Sequence, residues 1–240
     1  MHDTQTNSQD AEPKLPFDLN PLRRSLLAGS ASAGLLALFR PAVALARAPA
    51  APRPLPALAS FKDPGSMIVH SSSTIETRRA AMGLVVTPVN QLYVRNNLNP
   101  PDASVVAKPD AWQVQVEGVR RPATLTLAEL KKMPTETVTM VLQCSGNGRG
   151  YFPSKPSGTP WQTGAAGCVM WTGVPVKELA RRLGGVDRVA KFMTGTGGEV
   201  LPAGVDPKTR VERSVPVAAM EDALLAWELN GQPIPLAHGG

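Results

Sequence analysis

A cysteine at the end of an apolar run is the residue whose surroundings most favour chemistry. The run covers residues 138–142 and is followed by Gln143 and Cys144. Three glycines then fall within residues 146–150, alternating with Asn147 and Arg149. Such a loop offers bare backbone N–H groups, an amide and a guanidinium, which suit phosphate or another oxyanion. Because a thiolate is a soft ligand for a transition metal, the stretch predicts a site for a phosphorylated metal cofactor.

A strand before Cys144 and a glycine-rich loop after it must position the thiol. The apolar run predicts a buried strand that ends at the cysteine. Glycines beyond the strand permit positive φ and a close approach of the backbone to a ligand. The structural alternative is a core cysteine ahead of an ordinary turn, since free cysteine is commonly buried. A simple turn needs one or two glycines, so the composition of this loop favours a site.

The sequence of residues 143–149, Gln-Cys-Ser-Gly-Asn-Gly-Arg, resembles the cofactor loop of the sulfite oxidase family, the molybdopterin enzymes. The resemblance implies that the Cys144 thiolate binds molybdenum directly. It also implies that the loop holds the pterin and its phosphate through Ser145, Asn147 and Arg149. Molybdenum-molybdopterin is therefore the expected cofactor.

A second segment, residues 93–97 (Tyr-Val-Arg-Asn-Asn), also resembles that family. Taken alone, Arg95 reads as a solvated charge at a strand end. The resemblance implies instead that Arg95 faces the metal and binds the oxyanion substrate, while Tyr93, Asn96 and Asn97 contact the cofactor. Asn97 stands where the family often has histidine, so a hydrogen-bonding side chain replaces a proton carrier.

Two later segments extend the resemblance, which covers residues 67–240. Gly164 and Ala165 begin a stretch similar to one that borders the family's active site, which implies that both residues contact the cofactor. His238 stands where the family has a cofactor-contacting histidine. The implied fold is an α+β, mixed sulfite-oxidase-type molybdopterin-binding domain with short strands, short helices and many loops. The family continues with a cofactor-binding arginine and a dimerisation domain. We therefore expect an incomplete chain, and a homodimer only with that C-terminal domain.

The resemblance implies oxidation of sulfite, or a related small sulfur oxyanion, to sulfate, with electrons passed to a c-type cytochrome. The sequence has no Cys-x-x-Cys-His haem motif, so the acceptor would be a separate protein. Family members that oxidise sulfite commonly carry a tyrosine just before a triplet like residues 214–216, and residues 211–213 contain none. Three alternatives stay open: a sulfoxide-type reductase, an inactive cofactor-binding fragment, and a metal-free binding protein stapled by a disulfide between Cys144 and Cys168.

The first 48 residues predict a twin-arginine signal peptide. Arg23 and Arg24 precede an Ala/Gly/Leu stretch that runs to Phe39, and small-x-small cleavage motifs follow. The apolar stretch is too short to span a bilayer comfortably, so we expect no stable membrane insertion. The twin-arginine route exports folded proteins, which fits a cofactor loaded in the cytoplasm and a periplasmic location. Residues 49–65 predict a Pro/Ala-rich linker, and residues 66–240 the cofactor domain.

Length and composition fit this assignment. The chain has 240 residues, which is enough for one large domain. Its content of 42% hydrophobic and 18% charged residues is ordinary for a globular protein. Its net charge of +6 becomes +5 when residues 1–48, with five basic and four acidic groups, are removed. That charge suits an anionic substrate. The sequence lacks a basic run with interleaved aromatics, so we expect no nucleic-acid partner.

Local patterns predict individual elements. Residues 112–117 alternate as a strand with one wet face, residues 126–129 form a capping box, and residues 76–79 suggest a helix. Residues 176–183 predict a helix that ends at Gly184 and Gly185. Residues 223–229 predict a strand, followed by a tight turn at Asn230 and Gly231.

Overall fold

The computed structural model describes residues 53–98, 103–197, 201, 203–210, 212–220 and 222–239. All of them belong to one of the two units into which the chain divides, residues 51–240. The predicted signal peptide lies outside the described residues. No helix in the described ranges is long and apolar enough to cross a membrane.

The described residues form short strands and shorter helices. The strands are β1 (Met67–Ser71), β2 (Thr74–Thr77), β3 (Val94–Arg95), β4 (Gln113–Val116), β5 (Ala123–Thr126), β6 (Glu136–Gln143), β7 (Ala166–Pro175), β8 (Phe192–Thr196), β9 (Glu212–Pro216), β10 (Leu224–Leu229) and β11 (Gln232–Pro233). The α-helices are α1 (Ser104–Ala107), α2 (Leu127–Leu130), α3 (Val176–Arg182) and α4 (Val217–Met220). Single 3-10 turns cover Ala57–Ala59, Pro64–Ser66, Arg79–Ala81, Pro109–Ala111, Arg149–Tyr151, Pro207–Thr209 and Leu236–His238. The predicted α+β class with short elements is confirmed.

The largest sheet is antiparallel and has the order β11-β10-β7-β6. Strand β6 pairs with β7 along its whole length, from Glu136 opposite Gly173 to Gln143 opposite Ala166. A second sheet has the order β1-β2-β3, and β4-β5 and β8-β9 form separate hairpin pairs. The strand that leads to Cys144 and the strand that carries Arg95 therefore belong to different sheets.

The predicted strand before Cys144 is present, but the prediction that it is buried is wrong. Within the described sheet β6 lies at an edge and pairs only with β7. Val138, Met140 and Val141 are consequently exposed, with Val141 at 62%. Leu142, at the end nearest Cys144, packs against the interior. Leu142 is the one half-buried residue of β6, so the strand reaches the interior only next to Cys144.

Several local predictions are confirmed. Thr126 accepts from the Glu129 backbone N–H, and the Glu129 carboxylate accepts from the Thr126 N–H, so the capping box starts α2. Helix α3 follows Pro175 and is succeeded by glycines with φ of +89° and +92°. Asn230 and Gly231, at φ +53° and +74°, give the two positive φ values of a type I′ turn between β10 and β11.

The predicted helix over residues 76–79 is wrong, because this stretch forms the end of β2 and a following turn. Residues Thr74–Thr77 are all buried, and Ile75 and Glu76 are among the least exposed side chains described. Helix propensity favours Glu and Arg only weakly, and pairing of β2 with both β1 and β3 overrides it.

Three apolar clusters form the interior. The site cluster contains the residues nearest Cys144: Leu92, Tyr93, Trp161, Ala165, Val169 and Leu229. A second cluster lies between α3 and the β4-β5 pair. The third cluster joins Ala59 to Met67, Ile75, Val94 and Ala237. Ala59 belongs to the predicted linker, and the structure packs it at 0% exposure.

Candidate active site

Cys144 directly follows β6, and its backbone is fully engaged. Its N–H donates to the Ala165 carbonyl at 2.9 Å, and its own carbonyl accepts from the Asn147 N–H at 2.9 Å. The thiol is free, half-buried, and packed against the site cluster. The fold therefore fixes the main chain at this position and leaves the sulfur as the group that can bind something else.

Cys168 lies in a different place on the sheet. It is opposite Val141 in the β6-β7 register, and it bonds Thr87 through both its N–H and its carbonyl, at 3.1 and 2.7 Å. Cys144 is three residues beyond Val141, roughly 10 Å along the strand. That separation exceeds the Cα distance that a disulfide spans, so the stapled alternative does not fit this fold. Both cysteines are free.

The glycine loop is less open than its sequence suggests. The N–H groups of Gly148 and Gly150 donate to the carbonyls of Gln162 and Trp161, at 2.6 and 2.8 Å. Asn147 and Arg149 also use their N–H groups inside the loop. Within the described part of the chain, the N–H groups of Ser145 and Gly146 have no hydrogen-bond partner. The bare donors are thus limited to the positions next to the thiol.

The side chains of Asn147 and Arg149 close this loop onto its neighbours. The Asn147 amide accepts from the Ala165 N–H at 3.0 Å and donates to the Thr163 carbonyl at 3.3 Å. The Arg149 guanidinium donates to the Thr159 carbonyl at 3.3 Å. A Cβ at Gly146 would lie 2.7 Å from this guanidinium, so a larger residue there would displace the flexible Arg149 side chain. Contact of these two side chains with the pterin stays a prediction.

A buried carboxylate that no sequence pattern predicts anchors the segment opposite Cys144. Glu76 is 1% exposed and accepts from the N–H groups of Gly164 and Gln162, at 2.8 and 3.1 Å. It also bonds His70 Nε2 at 2.7 Å. Burial alone would raise the pKa of Glu76, but the hydrogen bonds from His70, Gly164 and Gln162 together hold it below its ordinary value.

Gly164 is required by the same contact. A Cβ added there would lie 1.7 Å from the Thr77 carbonyl oxygen. The Gly164 carbonyl also accepts from the Thr77 N–H at 3.2 Å. Strand β2 and the residues before β7 therefore contact each other through their backbones. This contact fixes Gly164, and so it positions the neighbouring Ala165, whose carbonyl accepts from the Cys144 N–H. Gly164 and Ala165 thus shape the site, and a cofactor contact by either stays a prediction.

Two aromatic rings of the site cluster, Trp161 and Tyr93, lie in the apolar interior against which Cys144 packs. The Trp161 ring meets His70 edge-on at 5.3 Å and Tyr93 edge-on at 6.0 Å, between ring centroids. Tyr93 is buried, and burial followed by the proximity of Cys144 raises its pKa to about 12. Tyr93 therefore stays protonated at neutral pH.

The remaining predicted residues of the β3 segment divide between surface and interior. Arg95 is exposed, and its guanidinium donates to the Asn97 side-chain oxygen. Asn97 and Ser145 are exposed as well. Asn96 turns the other way, and its amide donates to the Ala237 carbonyl at 3.2 Å. Among the described contacts, none joins Arg95 to Cys144, so substrate binding by Arg95 stays a prediction.

His238 is brought to this region by the turn Leu236–His238. Its Nε2 lies 2.8 Å from the Nζ of Lys62, which belongs to the predicted linker. Lys62 is 3% exposed, and burial lowers its pKa to about 7. Burial and then the Lys62 charge lower the pKa of His238 to about 3, so its ring is neutral at neutral pH. No local pattern around Lys62 distinguishes it from a solvated lysine.

Comparison with known sequences supplies the class of protein to which this site belongs. The family described as Oxidoreductase molybdopterin binding domain matches residues 101–240, and the chain belongs to that family. The predicted family resemblance and the molybdenum-molybdopterin cofactor are thereby confirmed.

Individual relatives include both sulfite oxidases and nitrate reductases. Mitochondrial sulfite oxidase of Rattus norvegicus is 31% identical over 165 residues, which are 64% of this chain and 28% of that protein. Nitrate reductase [NAD(P)H] of Hordeum vulgare is 34% identical over 161 residues, covering 64% of this chain and 18% of that protein. The chain thus matches about a quarter of the sulfite oxidase and under a fifth of the nitrate reductase.

A solved structure shares the fold. The sulfane dehydrogenase SoxCD of Paracoccus pantotrophus superposes with a TM-score of 0.58 at 22% identity. The superposition covers 71% of this chain and 41% of that one. The predicted sulfite-oxidase-type fold is confirmed.

The site residues fit the family's cofactor. A thiolate is a soft ligand for a transition metal, and Cys144 supplies a thiol that is unpaired and half-buried. Free backbone donors at Ser145 and Gly146 adjoin it, and a protonated phenol at Tyr93 lies beside it. A thiol next to bare backbone amides and one neutral hydrogen-bond donor suits a metal bound to an anionic organic ligand.

Proposed function

We propose that this chain belongs to a molybdenum-dependent oxidoreductase that oxidises sulfite, or a related small sulfur oxyanion, to sulfate. The observation that carries the proposal is the free thiol of Cys144, held at the end of β6 with both its backbone groups occupied. The sulfite oxidases among the relatives support the substrate class. The positive charge of the chain suits a dianionic substrate.

The protein residues would bind and orient, and the cofactor would carry the redox chemistry. When bound, molybdenum-molybdopterin supplies two-electron oxygen transfer. Cys144 would hold it through sulfur, with Asn147 and Arg149 keeping the loop closed. Tyr93 would donate a hydrogen bond, since its high pKa keeps its hydroxyl protonated.

Arg95 would bind the substrate. Its guanidinium is exposed and shares only the side chain of Asn97 among the described contacts, so an oxyanion can replace that partner. A planar guanidinium matches two oxygens of sulfite at once. Sulfite and water yield sulfate, two protons and two electrons, and the electrons would leave one at a time to a c-type cytochrome.

Molybdenum content tests the proposal most directly. We expect molybdenum in the purified chain after expression in cells that make the cofactor, and its loss in Cys144→Ser. Cys168→Ser is the matched control, because that thiol lies elsewhere on the sheet. Equal molybdenum in the Cys144→Ser variant and the parent chain would refute the assignment.

Substrate direction needs a separate assay, since nitrate reductases are also among the relatives. We expect sulfite to reduce cytochrome c in the presence of the loaded chain. Turnover of a sulfoxide by a reduced dye, with no sulfite oxidation, would favour the reductase. A loaded chain with neither activity would be a cofactor-binding fragment.

We also propose export of the folded protein to the periplasm. Replacing Arg23 and Arg24 by lysine tests this, because the pair is the expected recognition element of the signal. The parent chain should be found in the periplasmic fraction and the double variant in the cytoplasm. An unchanged distribution would exclude the twin-arginine route.

A further inference from the structure

Lys62 and His238 form a buried pair far apart in sequence. Lys62 Nζ lies 2.5 Å from the Val89 carbonyl, 2.7 Å from the Leu92 carbonyl and 2.8 Å from His238 Nε2. The Nζ atom of Lys62, in the chain before β1, thus contacts both the loop before β3 and the turn Leu236–His238. Leu92 directly precedes Tyr93, so this pair adjoins the candidate active site.

The hydrogen count at Nζ decides the state of His238. An ammonium has three donors and no acceptor. Two donors are used by the Val89 and Leu92 carbonyls, which can only accept. The third must point at His238 Nε2, which then has to be a lone pair. The ring hydrogen of neutral His238 therefore resides on Nδ1 whenever Lys62 is charged.

Loss of one proton from Lys62 reverses this arrangement. A neutral amine has two donors and one lone pair. The two carbonyls still take both donors, so the lone pair faces His238 and can accept only if Nε2 carries the hydrogen. Nδ1 then changes from a donor to an acceptor. The two carbonyls make the exchange obligatory, because a carbonyl oxygen cannot donate a hydrogen to the amine lone pair.

The surroundings of the pair leave few other charges to interfere. The neighbouring Asp63 turns away, and its carboxylate accepts from the Gly65 N–H at 3.0 Å and from the Ser66 hydroxyl. The Phe61 ring lies 4.7 Å from Nζ and favours the charged lysine. No acidic side chain in the described residues forms an ion pair with Lys62. His238 is the titratable group that faces it.

We propose that Lys62 is a positioning residue that sets which ring nitrogen of His238 carries the hydrogen, and so whether Nδ1 acts as a donor or an acceptor. The tautomer assignment stands on the contacts of the pair alone. Its consequence for cofactor binding rests on the proposed function together with the predicted contact of His238 with the cofactor. With Lys62 charged, His238 offers a hydrogen-bond donor to that anionic ligand.

Nitrogen-15 NMR of the imidazole rings tests the tautomer without any cofactor. The chain has three histidines, His2, His70 and His238, and the spectrum of His238→Gln identifies the signals of interest. We expect the hydrogen on Nδ1 well below the Lys62 pKa of about 7, and on Nε2 well above it. A single tautomer throughout the titration of Lys62 would overturn the proposal.

Variants separate this coupling from a general effect on folding. Lys62→Met should abolish the tautomer exchange near neutral pH. Lys131→Met, which removes an exposed lysine paired with Asp110 at 2.7 Å, should leave it intact. An exchange that persists in Lys62→Met overturns the proposal. If Lys62→Met does not fold, the NMR titration of the parent chain still shows whether the tautomer of His238 changes as Lys62 loses its proton.

The cofactor consequence is measured separately on the loaded chain. We expect Lys62→Met to retain molybdopterin about tenfold less well, the order expected for one hydrogen bond to a charged ligand. Unchanged retention together with the expected tautomer exchange would overturn the link to the cofactor. Undiminished molybdenum in Cys144→Ser would refute the proposed function while leaving the tautomer assignment intact.

Discussion

Replacing Glu76 by glutamine removes the charge that anchors the segment opposite Cys144. The change preserves the shape of the side chain and one acceptor oxygen. Its NH2 group must replace an oxygen that accepts from His70 or from a backbone N–H. His70 can adapt by presenting an unprotonated nitrogen to the new amide. The backbone N–H of Gln162 cannot, so it loses its partner.

The size of the effect follows from this change of partners. One buried donor without a partner costs about 1–3 kcal/mol. The hydrogen bond to Gly164 loses its charge assistance, which adds about 1 kcal/mol. We therefore expect the free energy of unfolding to fall by about 2–4 kcal/mol, a large part of the total of a typical domain.

Two measurements check this expectation. Urea unfolding at neutral pH gives the loss of stability. The rate at which Cys144 reacts with a thiol reagent in the native chain gives the local effect, with Cys168→Ser as the background so that one thiol reports. Ala165, which bonds the Cys144 N–H, follows Gly164 directly, so the reaction should accelerate.

Glu178→Gln is the matched control. Glu178 forms an exposed ion pair with Arg181 on α3, at 2.8 Å, and its loss should cost no more than about 0.5 kcal/mol. Because the folded pKa of Glu76 is depressed, its stabilisation exists above the ordinary carboxyl pKa and is lost as pH falls through the folded value. A Glu76→Gln variant as stable as the control, with an unchanged thiol rate, would show that the Glu76 carboxylate does not anchor this segment.

Three further outcomes are expected. Gly164→Ala should lower the free energy of unfolding by about 3 kcal/mol, since its Cβ would meet the Thr77 carbonyl. Gly195→Ala, where the added Cβ has open space, should leave this free energy unchanged, and urea unfolding of the two variants makes the comparison. Stability should rise as pH increases from about 7 to 10.5, because unfolded Lys62 binds a proton that folded Lys62 has lost; Lys62→Met should flatten this slope in denaturant titrations. Thr126→Ala should cost about 1 kcal/mol, measured by thermal unfolding, and a loss below about 0.3 kcal/mol would contradict the capping role.

Local sequence patterns predicted the elements whose causes are local. The capping box at Thr126 and the positive-φ turn at Asn230 and Gly231 involve residues within a few positions of each other. Their hydrogen bonds form wherever the chain goes, so reading them needs no knowledge of the fold. The strand before Cys144 was likewise predicted from its apolar run, although its exposure was not.

Contacts between distant segments explain the predictions that were wrong or missing. Strand β2 pairs with β1 and β3, and this pairing makes a strand of residues whose composition favours a helix. The buried position of the Glu76 carboxylate depends in turn on its hydrogen bonds from Gln162 and Gly164. Exposure of β6 depends on the order of strands in the sheet, which its own sequence does not specify.

The amino-acid sequence alone determined the loop chemistry, namely a thiol followed by glycines, an amide and a guanidinium, and with it the family and the cofactor. The tertiary structure decided which loop donors stay free, how Glu76 and Gly164 hold Ala165 against Cys144, and that Lys62 meets His238. The division has one physical reason. The identity of a ligand follows from side-chain chemistry, whereas hydrogen bonds between residues 88 or 176 positions apart exist only after packing has brought them together.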